Sequence, residues 1–194
     1  LASAMPDGTY TYMCCYPVPS SVNGTKATFN LPAVQDGKAS GGADIMIATP
    51  VEHGPLAPVP DPEDHSGMSL RMNRMMHQFR FWVPSADTRL NGEGIERIMF
   101  TFPSPVAGEV TVDLSDPASS PVLSGTQADM TLMLSDRLYR SDSDASPQYA
   151  CLAFVPTSFK AGQTLSLKAY TDSKVVLFDP IDLRGRTFLP GDRK

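Results

Sequence analysis

The stretch that decides the fold runs from Met76 to Leu114 and reads MHQFRFWVPSADTRLNGEGIERIMFTFPSPVAGEVTVDL. Apolar and polar side chains alternate near both of its ends, in QFRFWV at 78–83 and in EVTVDL at 109–114. A period of two turns one set of side chains toward a core and the other toward solvent. Turn signals, among them Asn91-Gly92 and Pro103, interrupt the stretch. The pattern predicts antiparallel β-strands.

The composition is that of an ordered protein with many turns. The chain has 194 residues, 41% of them hydrophobic and 19% charged, together with 18 prolines and 14 glycines. The formal net charge is −5 and no basic cluster is present, so we expect no nucleic-acid partner. No apolar run approaches the ~20 residues that a membrane helix needs. We therefore do not expect the chain to span a membrane.

Strand candidates continue on both sides of the central stretch, and about seven of them between Met68 and Phe178 predict a β-sandwich. The candidates are Gly8–Tyr16, Ala27–Leu31, Ala43–Ala48, Ser69–Met72, Met76–Val83, Ile95–Phe102, Glu109–Leu114, Asp129–Leu134, Tyr149–Val155, Thr164–Thr171 and Lys174–Phe178.

A proline-rich segment at Pro50–Gly67, PVEHGPLAPVPDPEDHSG, separates two groups of strand candidates. Prolines remove donors from a strand ladder, so we interpret this segment as an exposed loop or an interdomain connection. We therefore divide the chain into a partial N-terminal β domain at 1–66, which ends in the proline-rich connection, and a C-terminal β-sandwich domain at 67–194. One continuous domain is the alternative.

Residue types that carry chemistry do not form a recognisable motif. The histidines at 53, 65 and 77 lack an HExxH or Cys/His context, and no GxSxG is present. We interpret the acidic residues around His65 as a solvated loop. We expect no catalytic site, no metal site and no cofactor, and hence a protein that is not an enzyme.

The strand faces supply the candidate interaction residues. By alternation, Trp82 lies on the face opposite Phe79 and Phe81, where it either stacks on a sugar or partner or lies under a covering loop. A candidate interaction groove is drawn from the apolar faces of three strands. Its residues are Phe79, Phe81, Val110, Val112, Leu165 and Leu167.

Several local patterns occur in a recognisable order along nearly the whole chain. They are GTYTYMCCYPV at 8–18, FNLPAVQDG at 29–37, ADIMIATP at 43–50, MHQFRFWV at 76–83, AFVPTSFKAGQTLSLKAYT at 153–171 and TFLPGDRK at 187–194. In this order they resemble the fimbrillin family of Bacteroidales.

The resemblance implies a transthyretin-like antiparallel β-sandwich of Greek-key type. It implies a fimbrial (pilus) subunit or a fimbria-associated adhesin, exported as a lipoprotein to the outer membrane surface and assembled by β-strand donation. Contact with a membrane is implied only through a lipid anchor upstream of this chain. The implied partners are other fimbrial subunits, in a homo- or heteropolymer, and a host or bacterial surface protein or glycan. The alternative is a surface carbohydrate-binding β-sandwich module, in which Trp82 forms a platform with a loop tyrosine such as Tyr139 or Tyr16.

Overall fold

A computed structural model describes residues 5–39, 41–56, 68–143 and 147–192, and these residues form strands and loops. The strands are β1 (Tyr10–Tyr12), β2 (Cys15–Tyr16), β3 (Ser21–Asn23), β4 (Lys26–Leu31), β5 (Val34–Gln35), β6 (Met46–Ala48), β7 (Val51–His53), β8 (Met72–Arg74), β9 (His77–Phe81), β10 (Ile95–Thr101), β11 (Gly108–Asp113), β12 (Val122–Leu123), β13 (Asp129–Leu138), β14 (Ala150–Phe154), β15 (Thr157–Ser158), β16 (Thr164–Tyr170), β17 (Val175–Leu177), β18 (Ile181–Asp182) and β19 (Thr187–Phe188). Across the described residues there is no helix with the length and apolarity that crossing a bilayer requires.

Alternation of apolar and polar residues explains the long strands. β16 buries Leu165, Leu167 and Ala169 and exposes Thr164, Ser166 and Lys168 between them. β14 is buried at every position, as expected of a strand that is covered on both faces. The prediction of an all-β antiparallel fold is confirmed.

Two details differ from the predicted strands. The candidate Ser69–Met72 is displaced, because the strand there is Met72–Arg74, paired with β6. The segment Pro50–Gly67 was expected to hold no regular structure, yet Val51–His53 forms β7 against β1. Three residues suffice for this pairing before the chain reaches the later prolines, and residues 57–67 lie outside the described residues.

The largest sheet has the strand order β17-β16-β10-β13-β5, and β18 also pairs with β16. β10 is central, with β13 on one side and β16 on the other, both antiparallel. β5 is the exception, since it joins β13 in parallel. A four-stranded sheet of order β12-β11-β4-β3, a three-stranded sheet of order β2-β6-β8 and the pairs β14-β9, β1-β7 and β15-β19 complete the fold.

Aromatic side chains join the β14-β9 pair to the largest sheet. Phe81 of β9 packs on Phe100 of β10 with ring centroids 4.9 Å apart. Phe102, which follows β10, lies 5.2 Å from Phe154 and 6.4 Å from Phe79. Two sheets that bury their facing side chains against each other in this way form a β-sandwich. The transthyretin-like Greek-key connectivity stays a prediction.

Several strand pairs join the segments on the two sides of the predicted boundary at 66/67. β4 pairs with β11, β6 pairs with β8 and β5 pairs with β13. The division at 66/67 and the alternative of one continuous domain both stay predictions. The position of any boundary lies outside the described residues and stays a prediction.

Candidate interaction groove

β9 is bonded along one edge by β14 and only partly along the other. On the first edge Leu152 lies opposite Phe79, and Ala150 opposite Phe81. On the second edge, Gly191 N–H donates to the Met76 carbonyl at 3.1 Å, and Gln78 N–H donates to the Asp192 carbonyl at 3.0 Å. The C-terminal segment therefore covers the beginning of the second edge.

Beyond this segment, the described residues leave the second edge unpaired. In an antiparallel pair the backbone groups of successive residues point to alternate sides, so Arg80 directs its N–H and C=O the same way as Gln78. In the part of the chain that the structure describes, no residue bonds to the Arg80 backbone on that side. β9 thus offers a donor and an acceptor to an incoming strand.

The outer edge of β14, in contrast, is closed by the segment around β5. The Gln35 side chain donates from Nε2 to the Ala153 carbonyl at 2.7 Å and accepts from the Ala153 N–H through Oε1 at 2.9 Å. Cys151 N–H donates to the Gly37 carbonyl at 2.7 Å. The side-chain amide of Gln35 acts like the backbone of a further strand, so among the described residues β14 is covered on its outer edge, and the unpaired edge of the β14-β9 pair belongs to β9.

An apolar groove runs along the open edge, between β9 and the strands β16 and β18. It consists of two adjoining cavities of about 210 Å³ and 230 Å³. Phe81 and Ile181 line both of them. The first is otherwise lined by Phe79, Arg80, Leu165, Leu183, Arg186 and Phe188, and the second by Trp82, Val83, Pro84, Asp87, Arg89, Leu90, Ile95, Ile98, Leu138, Leu167, Ala169, Val176 and Phe178. We call this feature the β9 groove.

Most of the predicted groove residues meet here. Phe79, Phe81, Leu165 and Leu167 line the β9 groove. Val110 and Val112 do not, because β11 belongs to the four-stranded sheet, where both side chains are buried in the core. Alternation identifies the apolar face of a strand but not the element that covers it.

Trp82 is exposed at the rim of the groove, with 45% of its surface accessible. Its ring contacts Tyr149 edge to face, with centroids 5.9 Å apart and planes at 72°. The Arg80 guanidinium lies over the Tyr149 ring, 5.5 Å from its centroid. The tyrosine whose ring contacts Trp82 is therefore Tyr149 and not Tyr139 or Tyr16. The sequence predicted Tyr149 as the first residue of the strand Tyr149–Val155, but β14 begins at Ala150, and Tyr149 is exposed just before it.

Two charged groups at one end of the groove pair with each other. Arg89 forms an ion pair with Asp87, and its side-chain hydrogen bond lowers the pKa of that carboxyl. The Arg89 guanidinium also lies 5.0 Å from the centroid of the Phe178 ring. This end of the groove thus carries a neutral pair over an aromatic wall.

The histidine of β9 belongs to the aromatic core. His77 is fully buried among phenylalanines, and its Nδ1 lies 3.0 Å from the Leu189 carbonyl oxygen. Within residues 5–39, 41–56, 68–143 and 147–192, no group of three His, Cys, Asp or Glu side chains is placed to hold a metal ion. The acidic loop around His65 lies outside the described residues.

Comparisons with known proteins give a structural similarity only. No protein-family model matches the chain, and no curated protein sequence matches it either. The chain is similar to the crystal structure of a "putative cell adhesion protein" from Bacteroides uniformis, with a TM-score of 0.55 at 15% sequence identity. The match covers 93% of this chain and 63% of that one, so the chain spans less than two thirds of the matched structure. At this identity the similarity shows a shared fold.

Proposed function

We propose that the protein is a cell-surface adhesion protein, a fimbrial (pilus) subunit or a fimbria-associated adhesin, which joins other subunits by β-strand addition to the β9 groove. The observation that carries the proposal is an open strand edge directly beside an apolar groove. An open edge alone offers hydrogen bonds to any strand, whatever its side chains. An apolar groove alone buries side chains but does not fix the direction of the bound segment. Together they fit one extended segment in one register.

The incoming strand is a segment of another subunit, so the assembly is a homo- or heteropolymer. Its backbone bonds to the N–H and C=O of Arg80, and its inward side chains enter the two cavities. Side chains at positions i and i+2 of a strand are about 7 Å apart on one face. Alternate apolar residues in the donor can therefore fill both cavities on either side of Phe81.

Two further observations support the proposal. The outer edge of β14 is closed by Gln35, so growth of this sheet has a single direction. The solved structure of similar fold carries the description of a cell adhesion protein from Bacteroides uniformis, a source that agrees with the fimbrillin resemblance of the sequence. The proposal includes export to the outer membrane surface, no catalytic step and no cofactor.

The test compares two strains, each carrying one substitution of an exposed apolar residue. Ile181→Asp places a carboxylate between the two cavities, where the wild-type side chain is 43% exposed. Val122→Asp is the matched control. Val122 lies in β12, the edge strand of the four-stranded sheet, and does not line the groove. Both side chains are partly in water, so both variants are expected to fold.

Assembly is read from sheared surface fractions on unboiled SDS gels and from immunogold labelling of cells. We expect a high-mass ladder and labelled filaments for the wild type and Val122→Asp, and monomer with diffuse label for Ile181→Asp. Label confined to filament ends in the wild type would assign a tip or anchor role instead of a stalk role. A normal ladder in Ile181→Asp, or a single monomer band in the wild type, would contradict assembly through this groove.

A further inference from the structure

A second concave site is lined by Tyr149, the residue that contacts Trp82. It is a depression of about 440 Å³, within the range of small-molecule sites. Its walls come from the loop after β5, the end of β13 and the beginning of β14. The lining residues are Asp36, Gly37, Lys38, Ala39, Arg80, Leu134, Ser135, Asp136, Leu138, Gln148, Tyr149, Ala150 and Cys151. We call it the Tyr149 depression.

The charges around the Tyr149 depression balance. Asp36 and Asp136 each contribute one negative charge, and Lys38 and Arg80 each contribute one positive charge. A site of this kind has hydrogen-bonding groups of both kinds but no net field that would select an anion or a cation. The chemistry fits an uncharged ligand rich in hydroxyl groups.

Two of these polar groups are held in place by the protein. Asp36 accepts a hydrogen bond through Oδ1 from the backbone N–H of Lys38 at 3.0 Å, which fixes the carboxylate at the wall. Gly37 is buried with φ +81°, and a Cβ there would lie 2.5 Å from Cδ2 of Leu134. Glycine thus allows the loop to press against β13. Arg80 is oriented by its contact with the Tyr149 ring.

Aromatic surface adjoins these polar groups. Tyr149 is 46% exposed, and it meets Trp82 edge to face, so the two rings form a corner. A sugar ring presents C–H groups on its faces and hydroxyl groups around its rim. Its faces pack on aromatic rings, while its hydroxyls donate to carboxylates and accept from guanidinium and amide groups.

We propose that the Tyr149 depression binds a neutral saccharide of one or two sugar rings, which packs on the Tyr149 ring, beside Trp82, and bonds to Asp36, Asp136 and Arg80. The inference rests on the adhesion part of the proposed function and names the class of ligand. Arg80 lines both the depression and the β9 groove, whereas Tyr149 and Asp136 line only the depression, so variants of these two residues test the saccharide site separately from strand addition.

The test begins with the purified protein on an array of neutral, sialylated and sulfated oligosaccharides. The bound glycan with the strongest signal is then titrated while tryptophan emission is followed. The chain has one tryptophan, so the signal reports on Trp82 alone. We expect binding to neutral glycans and a saturable change in emission.

Two variants and a matched control localise the binding. Tyr149→Ala and Asp136→Asn change exposed side chains of the depression, and each is expected to weaken binding roughly tenfold. Tyr139→Ala removes a tyrosine of similar exposure, 48%, which does not line the depression, and is expected to bind as the wild type does. Thermal unfolding of each variant verifies that it is folded.

Three results would overturn the inference: no binding to any neutral glycan, binding that Tyr149→Ala leaves unchanged, or binding restricted to sialylated or sulfated glycans. Assembly of Tyr149→Ala on unboiled gels separates this failure from failure of the proposed function. A normal ladder together with absent saccharide binding in the wild type would reject the saccharide site alone.

Discussion

Replacing Gln35 by leucine tests whether a single side chain closes the outer edge of β14. Gln35 is 8% exposed, and its amide satisfies both the N–H and the C=O of Ala153, at 2.9 Å and 2.7 Å. Gln35→Leu keeps a side chain of similar size but provides neither partner. Ala153 is itself buried, so water cannot easily replace the lost bonds.

The expected cost follows from the two backbone groups that lose their partners. A buried donor or acceptor without a partner costs about 1–3 kcal/mol, so the pair costs roughly 2–6 kcal/mol of unfolding free energy. Urea unfolding with a slope of about 2 kcal/mol per molar would show a midpoint lowered by roughly 1–3 M. Gln127→Leu, at an exposed glutamine, is the control and is expected to leave the midpoint within about 0.3 M.

Gln35→Glu adds a pH dependence with a definite sign. The introduced carboxyl is buried and faces the Ala153 carbonyl, so its folded pKa is raised above the unfolded value of about 4.3. The variant is therefore closest to the wild type below that pH and loses stability as the pH rises through it. If Gln35→Leu costs under about 1 kcal/mol, or if Gln35→Glu shows no pH dependence, Gln35 does not close this edge and the argument for one-directional growth fails.

Two further predictions concern a hairpin end and a close backbone approach. The Ser173 and Thr171 hydroxyls donate to the Glu93 carboxylate and lower its pKa to about 2. The contribution of Glu93 to stability is therefore complete above pH ~4.5 and is lost as the pH falls toward 2. Acid unfolding curves of Glu93→Gln should lack the loss of stability that the wild type shows in this pH range. A Cβ on Gly125 would lie 2.6 Å from the Gly108 Cα, so Gly125→Ala should lower the unfolding free energy by about 1–3 kcal/mol in urea titrations. Gly42→Ala is the control and should be nearly neutral, because the space around Gly42 is open. Equal urea midpoints for the two variants would contradict the close approach of Gly125 to Gly108.

The sequence predicts the positions of the long strands well because their periodicity is local. Ile95–Phe102, Glu109–Leu114 and Thr164–Thr171 each correspond to a strand that differs by at most one residue at either end. The two-residue strands β5 and β15 had no such signal. Strands of that length are set by what they lie beside, as β5 is by β13, and a period of two cannot be recognised in two residues.

The groove was predictable only in part, for a related reason. Alternation placed Phe79 and Leu165 on apolar faces, which is correct for both and equally correct for Val110. What distinguishes them is long-range pairing. β11 lies inside the four-stranded sheet, between β12 and β4, whereas β9 is an edge strand of the β14-β9 pair. The contact of Trp82 with Tyr149, which are far apart along the chain, also arises from the pairing of β9 with β14 and has no local signature.

An open edge beside an apolar groove also exposes a protein to wrong partners, and the residues along β9 limit that risk. The open part is short, since the C-terminal segment covers its beginning and Pro84, which cannot donate to a ladder, follows soon after its end. Arg80 places a charge on the outer face at its centre, a residue type that discourages indiscriminate strand pairing. A strand that binds must therefore offer apolar side chains to the groove and, on its other face, a residue that tolerates Arg80 beside Tyr149. Under the proposed assembly, selectivity comes from the two faces of one donor strand. A donor whose outward residue opposite Arg80 is changed to lysine should therefore bind more weakly, even though its apolar contacts in the groove are retained.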